Sequence, residues 1–89
     1  MKVNVEYFAQ LRTSGGVESE HYDLTENSDV NALLLAIKVR HQGPLAEILG
    51  GDGELPGWIA VVVDDHTIVG DQTLTEDSTV RFLAPISGG

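Results

Sequence analysis

The sequence predicts an α+β fold: a mixed sheet of four or five strands with one main helix covering one face. Three observations carry this. Apolar residues alternate with polar ones in two N-terminal segments, recur at helical spacing in one central segment, and return as short β-favouring runs in the last third. With a single long helical stretch between the two groups of strands, that helix must cover the sheet. The chain has 89 residues, 42% of them hydrophobic and 21% charged, which is the make-up of one ordinary globular domain with one modest core.

Val3, Val5 and Tyr7 alternate with Lys2, Asn4 and Glu6, the pattern of a strand with one buried face. Gly15-Gly16 breaks the chain. Glu20, Tyr22 and Leu24 then alternate with Ser19, His21 and Asp23, so the first two strands read as a hairpin with a long loop. From Ser28 the period changes: Val30, Leu33, Leu34 and Ile37 form one face of a helix running to about Arg40. Ser28 fits the N-cap, Asp29 suits the positive end of the helix dipole, and Lys38 and Arg40 suit the other end. Gly43-Pro44 stops the helix.

Leu45 to Leu49 suffices for one helical turn, and GGDGELPG after it reads as a connecting loop. Trp58 to Val63 is a continuous β-favouring run, and beyond Asp64-Asp65 the run Thr67 to Val69 folds back on it. A polar turn, Thr75 to Ser78, precedes the last strand, Thr79 to Leu83, which is expected in the sheet interior. The order ββα, connection, βββ is that of a β-grasp roll. One sheet face stays open, and Phe8, Ile68 and Leu83 are expected to point outward there.

The formal charge of −9, from 14 acidic against 5 basic residues, repels phosphate backbones and anionic lipid, so neither nucleic acid nor membrane is an expected partner. Proteins with basic surfaces are. Without Cys there is no disulfide, zinc-thiolate site or cysteine nucleophile, and without an apolar span or a signal-like N-terminus a cytoplasmic protein is expected. His21, His41 and His66 fall on three elements without metal-ligand spacing, so no metal is expected. Gly50-Gly51-Asp52-Gly53 lacks the Lys-Ser/Thr of a phosphate loop; Asp64, Asp65 and Asp71 lack EF-hand spacing; no serine sits in a nucleophile elbow. No bound cofactor is implied.

The remaining chemistry lies in the final LAPISGG. A terminal carboxylate has a pKa near 3.5, so at neutral pH Gly89 ends in an anion that must be activated before it reacts. Activation as an acyl-adenylate threads the tail into another protein's nucleotide site, and Gly88-Gly89, without Cβ atoms, lets a narrow channel close on bare backbone. Pro85 stiffens the exit from the last strand. Residues 1–83 are therefore expected to form the folded domain and residues 84–89 a flexible reactive tail.

YFAQLR, the helix opening near Ser28-Asp29-Val30, the turn LTEDSTV and the ending LAPISGG together resemble the small sulfur-carrier subunit of molybdopterin synthase, a family with the ubiquitin-like β-grasp fold. That family commonly ends in two prolines, a β-branched residue, Ser or Thr, and Gly-Gly. Here Ala84 replaces the first proline, while Pro85, Ile86, Ser87, Gly88 and Gly89 fit. The resemblance implies that an E1-like enzyme adenylates Gly89 with ATP and that a persulfide donor enzyme supplies sulfur, leaving a thiocarboxylate. The large synthase subunit would use that sulfur to build the dithiolene of molybdopterin. The chain would be no enzyme by itself, and Phe8, Ile68, Leu83, Pro85, Ile86 and Ser87 would bind its partners.

Sibling carriers share the fold and the Gly-Gly but serve thiamine, cysteine or tRNA thiolation, or modify proteins at lysine. The thiamine carriers usually lack a counterpart to residues 42–57, whereas archaeal modifiers share a GDGEL-like loop and an acidic surface. A β-grasp interaction module with an inert end is the alternative from another class.

Overall fold

The N-terminal alternation forms β1 (Lys2–Tyr7), whose Val3, Val5 and Tyr7 are fully buried in a computed structural model that describes residues 1–84. The chain continues through α1 (Gln10–Gly15), β2 (Ser19–Asp23), α2 (Val30–Arg40), α3 (Pro44–Ile48), β3 (Ala60–Val63), β4 (His66–Ile68) and β5 (Thr79–Leu83). The five strands lie in the order β2-β1-β5-β3-β4. β5 runs parallel to β1 and antiparallel to β3, so the last strand sits in the centre of the sheet, with Val80 and Phe82 completely buried. The fold is the ubiquitin-like β-grasp.

Val30, Leu33, Leu34 and Ile37 of α2 are buried, as the helical spacing requires. The cap differs from the expected one. Asp29, not Ser28, occupies the N-cap, where its Oδ1 accepts from the Ala32 N–H at 2.8 Å; that bond holds the carboxyl below its ordinary range. Ser28 instead pairs its hydroxyl with that of Thr25 at 3.0 Å. The long loop expected between β1 and β2 contains α1, which buries Leu11 and ends on Gly16 in the left-handed conformation at φ 73°.

Asp64 and Asp65 both have positive φ, 47° and 72°, the backbone of a two-residue type I′ hairpin turn. The turn is tied to β5: Thr79 N–H donates to Asp64 Oδ1 at 2.9 Å and Asp64 N–H donates to Thr79 O at 3.0 Å. This fixes the register Val63↔His66, Val62↔Thr67 and Val61↔Ile68. Residues directly opposite share a face, so Ile68 stands with buried Val61 on the helix side and packs against the core. The expected placement of Ile68 on the open face is therefore wrong. β3 is also shorter than the apolar run suggested, beginning at Ala60 after a half-exposed Trp58.

Candidate functional site at the carboxyl end of the central strand

Because β5 and β1 are parallel, their carboxyl ends meet at one end of the sheet, where β3 begins. Tyr7 pairs with Phe82, and Leu83 pairs with Ala60. Below this end, the Tyr7 and Phe82 rings lie nearly parallel, at 18° with centroids 6.3 Å apart, and neither is exposed. The same parity turns Phe8 and Leu83 to the open face, where both are half-buried. Ala84 packs against the core, so the fold holds the chain one residue beyond β5.

Charges border this apolar end. Arg81 donates from Nε to Glu6 at 2.8 Å and from Nη1 to Asp65 at 2.9 Å, and these bonds, Glu6 first, raise the guanidinium above its ordinary value. Arg12, from α1, lies 5.8 Å from the Phe8 ring centroid, donates from Nε to the Tyr7 carbonyl at 3.4 Å and approaches Glu18 at 3.6 Å. The cleft between Arg12, Phe8 and Glu18 has a volume of about 210 Å³, below that of a cofactor-sized pocket. Its chemistry is that of a contact surface.

Tyr7 is held from its other end as well. Glu20 Oε2 accepts from Tyr7 Oη at 2.6 Å and from Tyr22 Oη at 2.7 Å, and lies 2.8 Å from His41 Nε2. Arg40 donates to the His21 carbonyl at 3.0 Å and lies 4.0 Å over the Tyr22 ring. Burial, then the bond to Glu20, pushes the Tyr7 hydroxyl far above its ordinary range, so it remains a neutral donor. Burial alone would raise the Glu20 carboxyl, but the bonds from Tyr7, Tyr22 and His41 outweigh it and hold it below 4.5. The cluster ties the end of β1 to β2 and to the carboxyl end of α2.

Of the residues singled out in the sequence, Phe8 and Leu83 come together here, Ile68 does not, and Pro85, Ile86, Ser87, Gly88 and Gly89 lie outside the described residues. Arg12 and the Glu20 cluster were not anticipated. A signal existed for Glu20: it shares strand parity with Tyr22, and a carboxylate on an inward face requires donors. Among the described residues, no group of three or more His, Asp or Glu is placed to hold a metal ion, and no helix is long and apolar enough to cross a membrane.

A mixed five-stranded sheet, one main helix and a central last strand define a protein of the ubiquitin-like β-grasp class. The chain belongs to the ThiS family, whose model matches residues 5–89. It is a ubiquitin-like sulfur carrier of that family. It is similar to a putative molybdopterin converting factor, subunit 1, from Pyrococcus furiosus, at 27% identity and TM-score 0.76, with 97% of this chain and 99% of that one covered. SAMP1 from Haloferax volcanii shares the fold at TM-score 0.87 and 23% identity, over 100% of both chains. The complex of subunits 1 and 2 of the molybdopterin-converting factor from Helicobacter pylori contains a chain similar at 22% identity and TM-score 0.63, again over 100% of both. No curated protein matches the sequence.

Proposed function

We propose that this carrier is loaded with sulfur at Gly89 and donates it to the dithiolene of molybdopterin, as the small subunit of a molybdopterin synthase. The observation that carries this reading is the 27% identity, over nearly the whole of both chains, to a protein described as a putative molybdopterin converting factor, subunit 1. The geometry supports it. A buried pair, Tyr7 and Phe82, anchors the central strand, so a pull on the chain end is resisted by the core. The reactive tail, expected to begin at residue 84, is taken in this reading to begin at residue 85, because Ala84 packs against the core.

In this reading the Gly89 carboxylate attacks the α-phosphate of ATP on an E1-like enzyme and expels pyrophosphate. Persulfide sulfur from a donor enzyme then attacks the acyl carbon and expels AMP, and a thiol reduces the acyl disulfide to the thiocarboxylate. ATP belongs to the activating enzyme, and the carrier itself holds no cofactor. Phe8 and Leu83, with Pro85, Ile86 and Ser87, form the surface that both the activating enzyme and the large subunit grip, and the reactions belong to the cytoplasm. Ile68 is not part of this surface.

The test is mass spectrometry after incubation with the E1-like enzyme, ATP and a sulfur donor. The natural chain should gain the mass of one oxygen exchanged for sulfur. A chain with one alanine appended after Gly89 should not, because a Cβ enters a channel meant for bare backbone. Equal conversion of both chains, or of neither, would falsify the carrier chemistry. Adding the large subunit and a cyclic pterin precursor then tests the acceptor: the loaded chain should lose its sulfur. A second reading, attachment to protein lysines, is favoured by the TM-score of 0.87 to a protein named a small archaeal modifier. Loss of sulfur only when lysine-bearing proteins are present would decide for it.

A further inference from the structure

We infer that the free edge of β4 is a second docking site, built to take an extended segment of a partner protein that is apolar at alternate positions and flanked by Lys or Arg. A groove of about 740 Å³ runs between α2 and the β3–β4 hairpin, with the Gly53–Gly57 loop as its third side. Leu34 and Val61 form its floor, and Leu35, Leu55 and Ile68 its walls. Leu35 is 65% exposed, and Val69, at the mouth, is 97% exposed. Large apolar side chains in that state, next to an unfilled groove, have contact area still to bury.

The backbone says what kind of ligand fits. β4 pairs only with β3 and closes the sheet on that side. In a two-residue hairpin the residues flanking the turn, Val63 and His66, exchange both hydrogen bonds, and so do Val61 and Ile68. Thr67 lies between, so its N–H and C=O face the free edge. An added strand would bond there and set alternate side chains into the groove on the Ile68 side, the β-addition mode of peptide recognition.

Charge selects among occupants. Glu54 and Asp71 line the groove, and its one cation, Lys38, is turned to the Gly53 carbonyl at 3.2 Å. A second copy would bring another −9 chain with the same acidic rim onto this one. A basic-flanked segment neutralises the rim instead. The groove lies across β3 from the end of β5, with Ile68 opposite Val61 and Leu83 opposite Ala60, so this contact is separate from the Phe8–Leu83 face.

The experiment is an NMR titration of the full ¹⁵N-labelled chain with a short peptide alternating valine and threonine between lysine pairs. Amide shifts should change at residues 34–38, 54–57 and 65–70, and exchange of the Thr67 amide should slow roughly tenfold or more at saturation. The same peptide flanked by glutamates should bind roughly tenfold more weakly, as should Val69→Glu, which alters an exposed side chain and leaves the fold intact. Thr67→Pro, which removes the edge donor, should weaken binding comparably. Shifts centred on Phe8 and Leu83, an unprotected Thr67 amide, indifference to the flanking charges, or light scattering that shows two copies paired through β4 would each overturn the inference. So would removal of residues 85–89, if it alone reproduced the groove shifts.

Discussion

At φ 53° and ψ −127°, Ala9 holds a backbone conformation that suits glycine, in the link between β1 and α1 beside Phe8 and Arg12. A non-glycine residue there stores about 1–3 kcal/mol of strain, against about 0.5–1 kcal/mol of chain freedom that glycine would add to the unfolded state. Ala9→Gly should therefore stabilise the fold by about 1 kcal/mol, read as a raised urea midpoint with an unchanged slope. Glu20 is the opposite case, a residue whose loss leaves others stranded. Glu20→Ala removes the acceptor of two tyrosine hydroxyls, one of them fully buried, and should cost about 2–3 kcal/mol in equilibrium unfolding. The sign of its pH dependence follows from the direction of its shift. A carboxyl held below 4.5 in the fold contributes stability that is present above 4.5 and lost as pH falls through the lower folded value. Stepping the pH down through that range should destabilise the natural chain more than Glu20→Gln, and parallel curves for the two would assign the acid sensitivity to other carboxylates.

Elements were legible wherever one periodicity held without competition. β5 has the predicted bounds and place, and α2 buries the predicted four residues. Parity failed where both faces were apolar: Ala60, Val61, Val62 and Val63 carry no alternation, so nothing in the run itself shows that Val61 faces the helix and takes Ile68 with it. α1 escaped because a helix of six residues with one buried side chain, Leu11, has no period to read. At the site, Phe8 and Leu83 followed from strand parity. Parity also turned Glu20 inward, but its partners Tyr7 and His41 lie 13 and 21 residues away and spacing does not name them. Arg12 meets Tyr7, Phe8 and Glu18 only because α1 folds the link back. The loop after α3 was read correctly as a turn, and the structure gives its requirement. Gly50 has φ 112°, and a Cβ there would collide with the Glu54 carbonyl oxygen. Gly50→Ala should cost about 3 kcal/mol in thermal unfolding, since both strain and backbone displacement apply. A change within about 0.5 kcal/mol would mean that the loop is free to rearrange.

For the molecule as a whole, the question raised by its charge is whether −9 serves solubility alone or also guides association. Three of its five cationic side chains face carboxylates of the same chain: Arg12 with Glu18, Arg40 with Glu20, and Arg81 with Glu6 and Asp65. Those pairs cancel locally, and the surplus acids dominate the field beyond them. A partner with a basic surface should then be met faster than diffusion with random orientation allows, and salt should suppress that advantage as the screening length falls to about 8 Å near physiological ionic strength. With the proposed activating enzyme, the association rate constant measured by stopped flow should fall roughly tenfold between low and physiological salt, while dissociation changes little. Leu83→Glu separates the two effects. It places a charge in the half-buried apolar contact, so it should speed dissociation and weaken affinity, yet leave the slope of association rate against salt nearly unchanged. Its own unfolding midpoint should move little, because the side chain is already part-solvated on the open face. A rate constant that is flat in salt would leave the charge with solubility as its role. Loss of the fold in Leu83→Glu would move that residue from the contact surface into the core.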